Sequence, residues 1–173
     1  MKEVHKWIGI SGSWKATTPK IEQDVRETVK NIVLEGNGIV SGGALNVDYQ
    51  ATDEALKLNK PHQIKVFLPT TLDIYAAHYR KRAQEKVITA KQAEDLISQL
   101  TTLKNLNPDG LIENPINTEV SEKTYFERNS EVVNASDELV VFQVNNSPGT
   151  QDTIDKAKAK GIQIKIHSYE VGI

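Results

Sequence analysis

The sequence predicts a doubly wound α/β domain, in which a mostly parallel, Rossmann-like sheet carries helices on both faces. Short segments rich in Val and Ile alternate with segments of helical periodicity along the whole chain. Most connections between the strand segments are long enough to hold a helix, which parallel strands require. Gly and Ser follow several of the strand segments, as is usual where a strand turns into a helix. With no repeat, low-complexity tract or linker visible, we expect a single domain over residues 1–173.

Six strands are expected from short apolar runs that end at turn residues. In chain order they are KWIGIS (6–11), GIVS (38–41), HQIKVFLP (62–69), GLIENP (110–115), DELVVFQV (137–144) and IQIKIHSY (162–169).

Six helices are expected between the strands, from apolar residues spaced three and four apart. They cover residues 17–38, 46–60, 72–88, 89–107, 122–136 and 147–161. The first has the clearest start, because Thr18 can cap it and Pro19 suits its first position.

Composition excludes several classes of function. The 173 residues carry a formal net charge of −2, which favours neither DNA nor an anionic membrane as a partner of the whole surface. The chain has no Cys, which excludes disulfides and thiolate chemistry and suits a reducing cytosol, so we expect a cytoplasmic protein. The first apolar stretch is too short for a signal peptide or a membrane span.

Small residues follow three of the strands, and the carboxyl ends of parallel strands lie at one edge of a sheet. Bare backbone N–H groups, hydroxyls and a helix N-terminus at that edge would suit a phosphate. We therefore expect a ligand to lie against these turns, and against Gly43 in particular. The turn residues are Ser11, Gly12 and Ser13, then Ser41, Gly42, Gly43 and Ala44, and finally Gly149 and Thr150.

The usual nucleotide fingerprints are absent, since neither G-x-G-x-x-G nor G-x-x-x-x-G-K-[ST] occurs. The four His residues have no metal-ligand spacing, so no metal site and no cofactor are expected. A basic cluster, HYRKR (78–82), lies beside Tyr75 and is either a solvated helix face or a patch that follows a nucleic-acid backbone.

These motifs resemble those of the DNA-processing protein A and lonely-guy superfamily. The stretch IVSGGALNVDYQATDEAL is similar to its Ser-Gly-Gly-Ala turn and helix start, which makes Asp48 the acidic residue of that motif. LPTTLDIYAAHYRKRA resembles a second stretch, with Asp73, Tyr75 and His78 in place. YFERNSEVV resembles a segment that contains an Arg-Asn pair, here Arg128 and Asn129.

The resemblance implies a nucleotide or phosphorylated small molecule at the turns, with Arg128 on the phosphate and Asn129 holding a loop or reading a base. One alternative is a lonely-guy type nucleoside monophosphate N-glycosidase, with Asp152 as the candidate acid. Another is binding of single-stranded nucleic acid. The two families' motifs are not fully matched, because Ser130 stands where an Arg is usual and Asp152-Thr153 stands where Glu-Glu is usual. No membrane partner is expected, and a homo-oligomer is compatible with the sequence.

Overall fold

The structure, a computed structural model, describes residues 3–172. Its strands are β1 (Trp7–Gly12), β2 (Gly38–Ser41), β3 (Ile64–Phe67), β4 (Leu111–Ile112), β5 (Glu138–Val144) and β6 (Gln163–Tyr169). Its helices are α1 (Pro19–Leu34), α2 (Val47–Lys57), α3 (Leu72–Gln84), α4 (Ala90–Leu106), α5 (Glu122–Asn134) and α6 (Pro148–Lys160).

All six strands form one parallel sheet in the order β4-β3-β2-β1-β5-β6. The predicted Rossmann-like fold is therefore confirmed. Chain order runs outward from β1 in one direction and then resumes at β5 on its other side, so β1 and β5 flank the point where the direction of winding reverses. In open sheets of this kind, ligands bind at that point, beyond the carboxyl ends of the strands.

Apolar side chains fill both faces of the sheet. The larger cluster joins α1, α2 and α4 to the sheet through fully buried residues such as Val25, Ala51 and Leu100. The smaller cluster packs α5 and α6 against the other face of β5, through Val133, Ile154 and their neighbours. The apolar stripes predicted for α1, α2 and α4 account for the larger cluster, because residues three and four apart lie on one helix face.

Two segments differ from the predicted elements. The fourth strand has only two residues, because the Asn114 side chain accepts bonds from the N–H groups of Ile116 and Asn117 and turns the chain away from the sheet. The third helix ends at Gln84 rather than at residue 88. Lys86 adopts a positive φ of 63°, and the Val87 N–H bonds back to the Arg82 carbonyl. None of the helices among residues 3–172 has the length and apolar character needed to cross a membrane.

The helix starts fall into two groups. Thr18, Thr71, Thr89 and Ser121 cap α1, α3, α4 and α5 with hydroxyl groups that accept a backbone N–H bond. The starts of α2 and α6 have no side-chain cap within the described part of the chain. A helix start without a cap keeps unpaired N–H groups, which a ligand can satisfy.

Candidate functional site

A cavity of about 640 Å³ opens at the carboxyl edge of the sheet, beside β1 and β5. Ten of the twelve predicted binding residues line it, and only Ser41 and Gly43 do not. These ten come from the end of β1 and the turn after it, the turn after β2, the first turn of α2, helix α5 and the start of α6. They are Ser11, Gly12, Ser13, Gly42, Ala44, Asp48, Arg128, Asn129, Gly149 and Thr150.

The turn after β2 is held by a buried carboxylate. Oδ2 of Asp48 accepts N–H bonds from Gly42 at 3.2 Å and from Ala44 at 3.1 Å. Burial raises the pKa of Asp48, while the Arg128 charge and these two N–H groups oppose the rise. Asp48 thus shapes the turn, because both bonds go to Oδ2 and fix the backbone around Gly43.

Gly43 faces the core rather than a ligand. Its φ is +68°, and a Cβ on it would lie 2.8 Å from Cδ2 of Leu68 and 3.0 Å from Cγ1 of Val66. The expectation that a ligand covers Gly43 is therefore wrong, because core side chains occupy that space. Of these two adjacent glycines, Gly42 is the one that lines the cavity.

Arg128 is buried, with 8% of its surface exposed, and it lies against the turn after β2. Its Nη1 donates to the Gly42 carbonyl, and its Nε donates to Oδ1 of Asn129 at 3.2 Å. These two bonds use two of the five N–H groups of the guanidinium, which leaves three for a ligand in the cavity. Arg128 therefore both fixes the turn and brings a positive charge to the cavity wall.

Asn129 links Arg128 to α6. Its side-chain nitrogen donates to Oδ2 of Asp152 at 3.0 Å, and the same oxygen is 2.5 Å from Nζ of Lys156. Lys156 also donates to the Phe126 carbonyl. Asp152 does not line the cavity, so the structure does not place the candidate acid near a ligand. Its carboxylate instead ties α5 to α6.

The start of α6 forms a wall of the cavity with Ser147, Pro148, Gly149 and Thr150. Ser147 does not cap the helix, because its hydroxyl bonds the Thr150 hydroxyl at 2.7 Å. A Cβ on Gly149 would have no neighbour within 4 Å in the described part of the chain, apart from the adjacent residues, so this end of the helix is sterically open.

Side chains that are not among the twelve predicted binding residues form a further, mainly apolar part of the cavity wall, which we call the aromatic wall. They are Tyr79, Val87, Ile88, Val120, Tyr125, Phe126 and Val132. Tyr125 precedes Arg128 by three residues, which places both on one helix face, so the Arg-Asn motif could have revealed it. Val87 and Ile88 were expected in a helix and reach the cavity only because the chain turns at Lys86.

Buried tyrosines support this wall from α3. The Tyr75 hydroxyl donates to the Gly43 carbonyl at 2.9 Å and is 3.2 Å from the Tyr79 hydroxyl. Burial raises the pKa of Tyr79 and of Tyr75, so both phenols are neutral near pH 7. The α3 wall is thereby bonded to the turn after β2.

The basic cluster is divided. Arg82 and His78 line the cavity, whereas Arg80 points elsewhere and forms a two-pronged ion pair with Glu94, at 2.8 and 3.2 Å. Residues 80 to 82 therefore do not form one continuous surface for a nucleic-acid backbone. Burial and the nearby Arg82 charge lower the pKa of His78.

The family model for DNA recombination-mediator protein A matches residues 1–171. The chain belongs to the DNA recombination-mediator protein A family. No curated protein matches the sequence significantly.

Solved structures of similar fold include two proteins that are called DNA processing protein A. The Helicobacter pylori protein, described for its single-stranded DNA binding mode, is 20% identical with a TM-score of 0.69 over 94% of this chain. The Streptococcus pneumoniae protein is 15% identical with a TM-score of 0.53 over 92% of this chain.

The structural-genomics target TM1055 shares the fold as well, with 14% identity and a TM-score of 0.55 over 92% of this chain and 72% of its own. The present chain spans 65% of the Helicobacter pylori protein and 58% of the Streptococcus pneumoniae protein. At these identities the likeness establishes the family fold, and the cavity must be interpreted from its own residues.

Proposed function

We propose that this domain binds a nucleotide unit at the carboxyl edge of its sheet. A phosphate lies at the start of α6, and the base lies against the aromatic wall. One observation carries the proposal: among residues 3–172, α2 and α6 are the α-helices without a side-chain cap, and first-turn residues of both line the cavity beside the glycine-rich turns.

The phosphate end is supported by the number of donors and the sign of the charge. The first N–H groups of a helix carry a partial positive charge and favour an anion. Gly149 keeps this end open, and Arg128 adds N–H groups that have no partner among the residues that the structure describes. A phosphate needs several donors at once, and this edge of the sheet supplies them from three elements.

The base end is supported by size and surface. Pockets for small molecules and cofactors usually measure about 300–1,000 Å³, and a cavity of about 640 Å³ falls within that range. Tyr79, Tyr125 and Phe126 offer aromatic surface, on which a base can stack with about 1–3 kcal/mol per base.

Calorimetric titration with adenosine 5′-monophosphate and with adenosine tests the proposal. We expect the monophosphate to bind more tightly than the nucleoside, because only it has a phosphate for α6 and Arg128. Gly149→Val should weaken the monophosphate about tenfold or more, since it blocks charge-assisted bonds that contribute about 1.5–3 kcal/mol each. The Gly149→Val variant should have the same thermal unfolding temperature as the unmodified protein. Equal affinity of the unmodified protein for the monophosphate and the nucleoside would contradict the proposal. Equal affinity of the unmodified protein and Gly149→Val for the monophosphate would contradict it as well.

Single-stranded DNA is a second candidate, favoured by the family and by the DNA-binding Helicobacter pylori relative. Exposed Trp14 and Val87 line the cavity and offer apolar surface to bases outside it. Because the net charge is −2, few phosphates should be neutralised. Oligothymidylate should then be titrated at several salt concentrations. The logarithm of the binding constant should fall against the logarithm of the salt concentration with a slope of about −0.7 per contacted phosphate, for one to two phosphates. Competition by adenosine 5′-monophosphate would assign both ligands to this cavity, and absence of oligonucleotide binding at low salt would remove the DNA candidate.

A further inference from the structure

Arg82 is a cationic residue of the cavity wall whose side-chain hydrogen bonds and ion pairs within the described residues are few and weak. Its Nε atom is buried and has no hydrogen-bond partner among residues 3–172. Its ion pair with Glu85 is long, 3.6 Å between Nη1 and Oε2, and 40% of the Arg82 side chain is exposed. A buried N–H without a partner is costly, so a ligand that accepts this bond is favoured.

Arg82 and Arg128 reach the cavity from different helices, α3 and α5. Tyr125, on the aromatic wall, lies within electrostatic reach of both: burial raises the pKa of Tyr125, and the Arg128 and Arg82 charges oppose that rise. The cavity therefore has one cation, Arg128, against the turn after β2 and a second cation, Arg82, on α3, with aromatic surface in the same wall.

We propose that Arg82 binds a second phosphate, so that the cavity selects a nucleotide with phosphates on both its 5′ and its 3′ oxygens. The inference rests on the proposed function, because it requires the first phosphate to lie at the start of α6. A free nucleoside 3′,5′-bisphosphate and an internal nucleotide of a single strand share this chemistry. A nucleoside 5′-diphosphate does not, because its two phosphates lie on one side of the sugar.

Nearby carboxylates weaken the attraction between Arg82 and a second phosphate without cancelling it. Glu85 must release Arg82, but their long contact is exposed to solvent and contributes little. Two carboxylates line the cavity, Asp48 and Glu122. Asp48 is engaged by the turn after β2, and Glu122 lies in the first turn of α5, beside that helix's own positive end.

Arg80 provides a matched control for Arg82. It lies on the same helix two residues earlier, carries the same charge, pairs with Glu94 and does not line the cavity. Arg82→Gln and Arg80→Gln therefore change the net charge equally, and only the first changes the cavity. Calorimetry would compare adenosine 5′-monophosphate, adenosine 5′-diphosphate and adenosine 3′,5′-bisphosphate on both variants and on the unmodified protein.

We expect the bisphosphate to bind the unmodified protein about tenfold more tightly than the monophosphate, because it gains a bond between two charged groups. Arg82→Gln should abolish this preference and weaken the monophosphate and the diphosphate much less than the bisphosphate, whereas Arg80→Gln should preserve the preference. If the monophosphate binds but the bisphosphate shows no preference, or if Arg82→Gln weakens all three ligands equally, the second phosphate site is wrong and the proposed function stands. If none of the three binds, the proposed function itself is overturned.

Discussion

The guanidinium of Arg128 occupies the space beside Gly42 that a side chain at position 42 would need. A Cβ on Gly42 would lie 2.5 Å from Cζ of Arg128, and Nη1 of Arg128 donates to the carbonyl of the same glycine. The glycine that follows Ser41 therefore admits an arginine from a distant helix. The missing side chain in this turn thus makes room for the Arg128 side chain, and Arg128 places its positive charge at the cavity wall.

Replacing Gly42 with Ala should displace this arginine. We expect Gly42→Ala to lower the free energy of unfolding by about 1–3 kcal/mol, the range for a hydrogen bond that involves a charged group. In an Arg128→Ala background the same substitution should cost less than about 0.5 kcal/mol, because the contacting guanidinium is gone. Urea unfolding of the two single variants and the double variant measures this coupling, and fully additive costs would contradict the contact.

Replacing Gly43 tests the other half of the turn. Gly43→Val should lower the free energy of unfolding by about 3 kcal/mol or more, since it combines a strained positive φ with an overpacked core at Leu68 and Val66. Gly149→Ala is the control, because its Cβ meets open space, and it should change stability by less than about 0.5 kcal/mol. Similar unfolding free energies for the two variants would show that Gly43 does not face the core.

Removing Asp152 should loosen the junction between α5 and α6. Its carboxylate bonds Asn129 and Lys156, so Asp152→Ala removes one acceptor from each of these two donors and should lower the free energy of unfolding by about 1–3 kcal/mol. Asp155, three residues later and exposed, bonds only Gln151 among the described residues, and Asp155→Ala should have a much smaller effect. Equal losses in chemical denaturation would contradict a tying role for Asp152.

His78 should contribute to a loss of stability in acid. Burial, and then the Arg82 charge, lower the pKa of His78 in the folded protein below its unfolded value near 6.5. The unfolded chain therefore binds the proton more readily, and stability falls as pH drops below about 6.5 until the folded pKa is passed. His167 shifts in the same direction, so His78→Gln should reduce the fall in Tm between pH 7.5 and pH 5 without abolishing it. An unchanged fall in the variant would contradict this account.

Local sequence signals were sufficient for the sheet and for most of the cavity. The β1, β2 and β5 segments are apolar runs that end at turn residues, and parallel pairing then brings their carboxyl ends together. The glycine-rich turns are predicted for the same reason, since each is contiguous in the chain, and the family resemblance adds the Arg-Asn pair.

Contacts between distant segments could not be read in this way. Nothing around Gly42 indicates that its neighbour is Arg128, and nothing around Gly43 indicates that Leu68 and Val66 fill the space beside it. The turn at Lys86, in which a lysine takes a conformation that favours glycine, has no local signal either. That turn carries Val87 and Ile88 to the aromatic wall, and so this part of the wall could not be predicted from the sequence.

The position of the phosphate is the central claim, and an NMR titration of the ¹⁵N-labelled protein with adenosine 5′-monophosphate tests it most directly. We predict that the backbone amide signals of Gly12, Ser13, Gly149 and Thr150 shift together and saturate at one ligand concentration, because these groups lie around the start of α6. Amides beside Gln63 and Asn107, at the opposite end of the sheet, should stay unchanged. Shifts confined to other surfaces, or no saturable shift at the start of α6, would contradict a phosphate site there.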